Sequence, residues 1–230
     1  MAKKAIIIYG PPGAGKGTQA NLLAWTKGLI HFDTGKFLEQ LVHDPDNQHN
    51  PEVAKARKQL DSGELVTPSF VLSITSEETK RIGASGFSIV FSGSPRTLFE
   101  AFGDEKNKGL IQVLEESYGK ENIYPVHLII DPHKAIQRNK NRKVCSICAT
   151  AILYNEKSHQ HTTCPLCGGA LRTRTVDNPA VFETRIKEYE ERTAPILVEL
   201  KKRGYKIYEV DANPLPFEVF DALKAQLKLE

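Results

Sequence analysis

Residues 10–18 read GPPGAGKGT, and these residue types and spacings are typical of a loop that holds a phosphate group. Glycines let the backbone turn its N–H groups towards an anion, and the helical segment that follows adds the dipole of its first turn. The ammonium group of Lys16 is spaced to reach the terminal phosphates of a nucleotide. The general pattern has Ser or Thr directly after the lysine, whereas here Gly17 precedes Thr18. The residues predicted to bind phosphates are Gly10, Gly13, Ala14, Gly15, Lys16, Gly17 and Thr18.

Four cysteines in the second half of the chain are spaced like the ligands of a metal ion. They form two Cys-x-x-Cys pairs with fifteen residues between them. Each pair can wrap around one side of a tetrahedral ion, and two pairs complete four thiolate ligands, as in structural zinc sites. We therefore predict one structural zinc ion held by Cys145, Cys148, Cys164 and Cys167. His159 and His161 lie between the pairs and are expected at the surface, and the alternative for the cysteines is a set of free thiols.

The composition is that of an ordinary globular protein. Of the 230 residues, 40% are hydrophobic and 26% are charged, which excludes the disordered, collagen-like and coiled-coil classes. The 31 basic and 28 acidic residues nearly balance, which argues against a dedicated nucleic-acid binder. No apolar run approaches the roughly 20 residues that span a bilayer, and the apolar start is too short for a signal peptide. Paired cysteines that bind metal fit a reducing compartment, so we expect a cytoplasmic protein without a membrane partner.

Apolar runs bounded by turn-forming residues predict the strands that must carry the phosphate loop. These runs lie at residues 5–9, 88–91, 126–130 and 206–210, with a weaker candidate at 29–32. Helical spacing follows at residues 17–25, 35–42, 51–61, 68–82, 110–118, 133–142, 179–203 and 215–229. Pro195 should kink or restart the long helix that contains it. Strands that alternate with helices predict an α/β fold with a mostly parallel sheet, interrupted by excursions at 34–81 and 144–176.

The phosphate loop and several later motifs resemble those of adenylate kinases, and the similarity extends over nearly the whole chain. The matching segments are GPPGAGKGTQA at 10–20, HFDTG at 31–35, DSGELV at 61–66, SGSPRT at 92–97, residues 137–142 and residues 171–197. The resemblance implies a P-loop nucleoside monophosphate kinase with an α/β three-layer fold around a central parallel sheet. It also implies a core at residues 1–33, 83–143 and 177–230, a helical acceptor-binding excursion at 34–82 and a zinc-binding lid at 144–176.

The reaction that this resemblance implies moves the γ-phosphate of Mg-ATP to a nucleoside monophosphate, AMP by family precedent. The implied enzyme is a monomer whose partners are small-molecule nucleotides. Such a reaction asks little covalent chemistry of the protein, so positioning and positive charge dominate, and each guanidinium offers a rigid fork to phosphate oxygens. By resemblance, the catalytic residues are Lys16, Arg96, Arg138 and Arg185, and the donor phosphates are bound by Arg138, Arg142 and Arg174.

The acceptor site departs from the family pattern in its charges. Its residues, by resemblance, are Thr34, Gly35, Lys36, Glu39, Leu65, Val66, Gly93, Arg96 and Glu100. Lys36 stands where the family has an acid, and Glu39 stands where it has the arginine that binds the acceptor phosphate. An anion about 5 Å from a phosphate repels it by roughly 3 kcal/mol at an effective dielectric of about 20. Since Lys36 and Glu39 share a helix face, we hypothesise that Lys36 contacts the phosphate and Glu39 anchors it; the alternative is an exposed pair in an unused site.

Further changes bear on the metal and on the acceptor base. Ser92 replaces an acid and Lys36 replaces another, which weakens the expected magnesium environment, although Asp33 could restore part of its charge. Val176 replaces a further acid in the segment that returns from the lid. Glu100 replaces the glutamine that reads adenine, and a carboxylate, which only accepts hydrogen bonds, suits the two donors of a guanine edge. These changes predict a poor AMP kinase. The alternatives are a GMP-like or non-nucleotide acceptor, an ATP-binding protein with weak or lost transfer and, against the charge balance, a zinc-ribbon nucleic-acid binder.

Overall fold

Two separate β-sheets organise the chain in the computed structural model, which describes residues 2–47, 49–152, 161–173 and 179–229. The strands are Ala5–Tyr9 (β1), Ile30–Phe32 (β2), Ile89–Phe91 (β3), Ile123–Ile129 (β4), Lys143–Cys145 (β5), Ala151–Ile152 (β6), Leu171–Arg172 (β7) and Tyr208–Asp211 (β8). The larger sheet is parallel and has the strand order β2-β3-β1-β4-β8. The smaller sheet is antiparallel and has the order β6-β5-β7.

Helices connect the strands of the larger sheet and cover both of its faces. They are Lys16–Lys27 (α1), Thr34–His43 (α2), Pro51–Ser62 (α3), Pro68–Ala84 (α4), Leu98–Phe102 (α5), Leu110–Tyr118 (α6), Pro132–Lys140 (α7), Pro179–Glu188 (α8), Ala194–Lys202 (α9) and Pro216–Leu227 (α10). The α/β fold predicted from the sequence, with a central parallel sheet between helical layers, is confirmed. None of the helices in the described ranges combines the length and the apolar composition that crossing a bilayer requires.

The central strand β1 is buried on both faces. Ile7 and Tyr9 belong to one hydrophobic cluster, and Ile6 and Ile8 belong to the cluster on the opposite face, because successive side chains of a strand alternate. A continuous apolar run is therefore what this doubly covered strand requires. Burying each of these isoleucine side chains contributes about 1.5–3 kcal/mol, so the strand is a firm base for the loop that follows it.

The carboxyl ends of the parallel strands bring the predicted functional segments to one edge of the sheet. The phosphate loop follows β1, Asp33 follows β2 and Ser92 follows β3 at this edge. Ligands of open α/β sheets bind at the carboxyl ends of the strands. The predicted loop and the motif at 92–97 are thus positioned to act on one ligand site.

Two insertions face this edge. Helices α2, α3 and α4 lie between β2 and β3, and they share a small apolar cluster of Leu38, Val42, Val53, Ala56, Val66 and Val71. Asp33 caps α2 by accepting the backbone N–H of Lys36 at 3.2 Å. The small antiparallel sheet lies between α7 and α8 in the sequence and contains the four cysteines in or beside its strands.

Differences from the predicted elements are local. A π-helical turn, Tyr189–Thr193, ends α8, and α9 begins at Ala194. Pro195 therefore lies in the first turn of α9, where its missing N–H is not needed, and the predicted restart of the helix is confirmed. The short helix α5 was not predicted because five residues are too few to show a helical period; its start is capped by the hydroxyl of Thr97.

Candidate active site

The loop after β1 folds around the ammonium group of Lys16. Lys16 Nζ donates hydrogen bonds to the carbonyl oxygens of Gly10 at 2.7 Å and Pro11 at 3.0 Å. Gly13 has a φ of 87°, and a Cβ atom at this position would collide with the backbone of Ala135 on α7. Glycine is thus required at residue 13 both for the left-handed backbone and for the close packing of loop against helix.

Arginines from three different parts of the chain converge on Lys16. The pKa of Lys16 lies well below its ordinary value, first because the ammonium group is buried. The positive charges of Arg96, Arg185 and Arg142 lower this pKa further. The carboxylate of Asp33 acts on it in the opposite direction. Cations this close repel one another unless an anion lies among them, so the structure prepares this position for phosphate groups.

One cleft opens beside the phosphate loop, with a volume of about 190 Å³, and is called here the loop-side cleft. Six residues predicted to bind the donor line it: Gly13, Ala14, Gly15, Thr18, Arg138 and Arg142. The strand β6 and the turn before α10 complete its wall. The guanidinium of Arg138 donates to three consecutive carbonyl oxygens at residues 212–214, over 2.7 to 3.1 Å, and so fixes this turn against α7. Arg138 thereby shapes the cleft, while its catalytic role stays a prediction.

A second cleft, called the helix-side cleft, lies between α2 and the carboxyl end of β3 and has a volume of about 150 Å³. The predicted acceptor residues that line it are Thr34, Gly35, Glu39, Leu65, Val66, Gly93, Arg96 and Glu100. Arg172 of β7 and Arg185 of α8 line it as well. A central pocket adjoins the helix-side cleft, and its lining includes Lys16, Ser92, Arg96 and Arg185. Arg96 and Arg185 thus face both the helix-side cleft and the lysine of the phosphate loop.

Arg96 is held in place from three directions. Its backbone N–H donates to Glu100 Oε2 at 2.8 Å, and its carbonyl oxygen accepts from the hydroxyl of Thr193 at 2.9 Å. Its Nε donates to the carbonyl oxygen of Gly93 at 2.8 Å. A guanidinium fixed in this way loses little conformational freedom when it binds a phosphate.

Glu100 has a structural task that the sequence did not indicate. Its side chain is buried, with the residue only 2% exposed, and Oε1 accepts the hydroxyl hydrogen of Thr97 at 3.2 Å while Oε2 accepts from Arg96. Burial raises the pKa of Glu100 to about 6, against the lowering effect of these donors. Both carboxylate oxygens are engaged in this helix cap, so the geometry does not favour the expected reading of a guanine edge by Glu100.

The hypothesis that Lys36 contacts the acceptor phosphate stays a prediction that the lining of the helix-side cleft does not favour. Lys36 is exposed and lies outside the lining of the helix-side cleft. Glu39, which does line the cleft, forms an ion pair with Arg172, and their Oε1 and Nη2 atoms lie 3.4 Å apart. The reason is topological: the small sheet reaches back over α2 and presents an arginine to the face that holds Glu39.

His31 connects α1 to the end of β3. Its Nδ1 lies 2.7 Å from Asn21 Oδ1 and its Nε2 lies 2.8 Å from Ser92 Oγ. The amide oxygen of Asn21 only accepts, so Nδ1 carries the proton and the Ser92 hydroxyl donates to Nε2. Burial lowers the pKa of His31, which favours this neutral ring. Ser92 is therefore a neutral group at a position where the family has a carboxylate.

The four cysteines converge at the small sheet. Their Sγ atoms all lie within 4.8 Å of one another, with those of Cys145 and Cys167 3.4 Å apart and those of Cys148 and Cys164 3.7 Å apart. Ligands with zinc–sulfur bonds of about 2.3 Å lie about 3.8 Å apart in a tetrahedron, so the spacing fits such an ion. The four thiols are free. The backbone N–H of Cys148 donates to Cys145 Sγ at 3.4 Å and lowers the pKa of that thiol, which favours the thiolate that a metal binds.

Other residues singled out from the sequence lie either outside the described ranges or away from these sites. Arg174, His159 and Val176 lie outside the described residues. Gly17 lies in the first turn of α1 and lines none of the three cavities, and His161 is exposed.

Sequence reasoning missed Arg172 and Thr193, which act at the helix-side cleft and on Arg96. The signal for Arg172 was present in the reversed charge of Glu39, because a carboxylate at a phosphate site requires a compensating cation elsewhere. No comparable pattern marks Thr193, whose role depends on the packing of the α8–α9 junction.

A phosphate loop at the edge of a parallel sheet, with a cleft on either side of its lysine, is the arrangement of a P-loop phosphotransferase that serves two nucleotides. The model of the family described as "Adenylate kinase" matches residues 8–205. The adenylate kinase of Chlamydia pneumoniae is 34% identical over 234 aligned positions, which cover 99% of this chain and 100% of the relative. That of Novosphingobium aromaticivorans is 32% identical and covers 96% of this chain and 98% of the relative. The chain therefore belongs to the adenylate kinase family and is a nucleoside monophosphate kinase, a transferase.

Proposed function

We propose that the protein transfers the γ-phosphoryl group of Mg-ATP, bound in the loop-side cleft, to AMP bound in the helix-side cleft. The observation that carries this proposal is the convergence of the charges of Arg96, Arg142 and Arg185 on Lys16 of the phosphate loop. Phosphoryl transfer spreads negative charge over the oxygens of the transferred group, and fixed cations stabilise that charge. The name adenylate kinase, carried by the relatives in the comparison, supports AMP as the acceptor.

In this mechanism the protein aligns the two substrates and neutralises charge. A phosphate oxygen of AMP attacks the γ-phosphorus in line, the bond to the β-phosphate oxygen breaks, and two ADP molecules result. Lys16 binds the terminal phosphates of ATP, and the held guanidinium of Arg96 reaches the group in transfer from the side of the acceptor. Because the attacking phosphate is already ionised, no protein base has to remove a proton.

Water must be excluded from the reacting groups, since it would otherwise accept the phosphoryl group. We propose that the parts at residues 34–82 and 144–176 close over a core formed by 1–33, 83–143 and 177–230. Two close approaches support this: the ion pair between Glu39 and Arg172, and the contact of Gly63 with α8, where a Cβ atom would collide with Val181.

Magnesium enters with ATP, and among the described residues few protein groups lie where they could hold it. The hydroxyl of Thr18 lines the loop-side cleft and the carboxylate of Asp33 acts on Lys16, whereas Ser92 is neutral. A hexacoordinate ion that keeps several waters and uses substrate phosphates as ligands fits such a sparse donor set. We therefore propose that the phosphates and water supply most of the magnesium ligands.

A steady-state assay with ATP and AMP, GMP, CMP or UMP tests the proposed reaction. The native protein should form ADP with AMP, and Lys16→Met should lower kcat/KM by at least about a hundredfold, since it removes a charged donor to the phosphates. Lys27→Met, at the other end of α1, is the matched control and should keep its activity. Turnover of GMP without AMP would support the altered-acceptor alternative, and ATP binding without turnover of any monophosphate would support a protein that has lost transfer.

We also propose that the four cysteines bind one structural zinc ion. The support is the convergence of four Sγ atoms within 4.8 Å in a small sheet whose strands are three residues long or shorter. Such a sheet cannot bury a core of its own, and a tetrahedral ion would hold its turns together. Metal analysis of protein purified without chelator should give close to one zinc per chain. Metal-free protein with four alkylatable thiols in the native state would contradict the proposal.

We further propose a monomer that works in a reducing compartment such as the cytoplasm. The phosphate loop, the arginines beside it and the acceptor residues predicted from the sequence all lie in this one chain, which supports the monomer as the working unit. The free thiols fit a reducing environment. Light scattering on the purified protein measures the oligomeric state directly.

A further inference from the structure

The helix-side cleft presents an unusual balance of charges to an acceptor nucleotide. Two of its three arginines, Arg96 and Arg185, also line the central pocket beside Lys16, which places them near the group in transfer. Glu39 adds negative charge to the wall, where it would repel the phosphate of a nucleoside monophosphate. Among the described residues, Arg172 is the one arginine that lines the helix-side cleft without also lining the central pocket.

Arg172 comes from a different part of the chain than the wall it faces. It ends β7, pairs with Val144 in the small sheet, and meets Glu39 on α2, 133 positions away in the sequence. The contact is a single one of 3.4 Å between side chains that are 51% and 33% exposed. A pair of this length and exposure adds little to stability, and it engages one of the five N–H donors of the guanidinium. The remaining N–H groups can donate hydrogen bonds to the oxygens of an anion.

We propose that Arg172 is the residue that binds the phosphate of the acceptor nucleoside monophosphate, and that Glu39 holds its guanidinium over the empty cleft until the phosphate replaces the carboxylate. This inference rests on the proposed function, because it presumes that the acceptor binds in the helix-side cleft. The positive charge that binds the acceptor phosphate is then supplied by the small sheet instead of by α2. Acceptor binding becomes coupled to the position of that sheet, and through the pairing of Cys145 with Leu171 to the cysteine cluster.

Binding of AMP and of adenosine, measured by calorimetry on the full-length metal-loaded protein, separates the phosphate contact from all others. Arg172→Gln should weaken AMP binding by about tenfold to a hundredfold, the loss expected for hydrogen bonds to a charged group, and leave adenosine binding unchanged. Glu39→Gln should leave AMP affinity equal or tighter, because it removes a repelling carboxylate and keeps the arginine. Lys143→Gln is the matched control: it removes one positive charge from β5 of the same sheet, lines neither cleft, and should change neither affinity.

Weaker AMP binding in Arg172→Gln without weaker AMP binding in Glu39→Gln is the signature of this role. If Arg172→Gln and Glu39→Gln weaken AMP and adenosine equally, the pair merely closes the cleft and the proposal is overturned. It is also overturned if Arg172→Gln leaves AMP affinity unchanged while the native protein binds and phosphorylates AMP. If the native protein neither binds nor phosphorylates AMP, the proposed function fails first. Thermal melting checks that each variant folds. Arg172→Lys keeps the positive charge but loses the planar guanidinium, so its AMP affinity should lie between those of the native protein and Arg172→Gln.

Discussion

The two clefts on either side of Lys16 have changed to different extents from the family pattern. The loop-side cleft keeps the glycines of the phosphate loop, Arg138 of α7 and Arg142 just after this helix, and Lys16 lies in the central pocket. The helix-side cleft has a glutamate on α2 and a buried helix-capping glutamate at residue 100. Phosphate binding by backbone N–H groups depends on the course of the chain and cannot be moved to another residue. Binding by a side chain can be moved, since a cation from any neighbouring element can reach the same phosphate.

The strongest loss of activity is predicted for Arg96, which lines both the helix-side cleft and the central pocket beside Lys16. Arg96→Lys keeps the charge but loses the planar fork and the hydrogen bond from Nε to Gly93. We expect kcat to fall by about a hundredfold or more, with a smaller change in KM for either substrate, because the fork acts on the group in transfer. Initial-rate kinetics with both substrates varied measure this split. Arg81→Lys, on the exposed face of α4, is the matched control, and a loss confined to KM would show that Arg96 only binds the acceptor.

The second prediction concerns the small sheet, which forms part of both clefts. Cys164→Ser should remove the bound metal and unfold the small sheet while the larger sheet stays folded, because all four sulfur ligands lie in one segment. Hydrogen exchange should show lost protection at Lys143–Cys145 and retained protection at Ala5–Tyr9. AMP affinity should fall by roughly tenfold, since Arg172 lies on β7. Retained protection of β5 in metal-free protein would contradict a structural role for the ion.

The third prediction returns the family arginine to α2. Glu39→Arg should lower the KM for AMP by about tenfold if roughly 1.4 kcal/mol of binding is recovered. The new arginine should also make Arg172 redundant. Adding Arg172→Gln to Glu39→Arg should therefore raise the KM for AMP by less than about threefold. A double-mutant cycle on KM for AMP measures the coupling between the two positions. Additive effects would mean that the two residues do not serve the same phosphate.

The smallest expected effect comes from Glu100 and depends on pH. Burial raises the folded-state pKa of Glu100 from 4.5 to about 6, so the folded protein binds more protons than the unfolded chain between these values. The free energy of unfolding therefore falls as pH rises through this window. Glu100→Gln carries no charge and should gain about 1–2 kcal/mol relative to the native protein at pH 7.5, with no gain at pH 4.5.

Urea unfolding at the two pH values measures the gain from Glu100→Gln, and the exposed Glu77→Gln serves as control. If Glu100→Gln changed the free energy of unfolding by the same amount at both pH values, ionisation of the buried carboxylate would not destabilise the folded protein. A change in stability without a change in AMP specificity would identify Glu100 as a helix cap and not as a residue that reads the acceptor base.

Sequence patterns predict the fold and the loop-side cleft well for a physical reason. A strand buried on both faces and a glycine loop that must take left-handed backbone angles leave signals within a few residues, as at 5–9 and Gly13. The helix-side cleft is assembled from α2, β7, α8 and the end of β3, so its charges balance between residues far apart in sequence. Glu39 pairs with Arg172 only once the chain has folded. The same is true of the hydrogen bond from the Thr193 hydroxyl to the carbonyl oxygen of Arg96.

The most direct test of the relocated acceptor charge is a crystal structure with a bisubstrate analogue, two adenosines joined by a polyphosphate. The phosphates should run from the loop of Lys16 past Arg96, and the guanidinium of Arg172 should lie within about 3.2 Å of an oxygen of the acceptor-side phosphate. The carboxylate of Glu39 should have moved away from that guanidinium. An acceptor-side phosphate bound by Lys36, with the ion pair between Glu39 and Arg172 unbroken, would contradict the relocation.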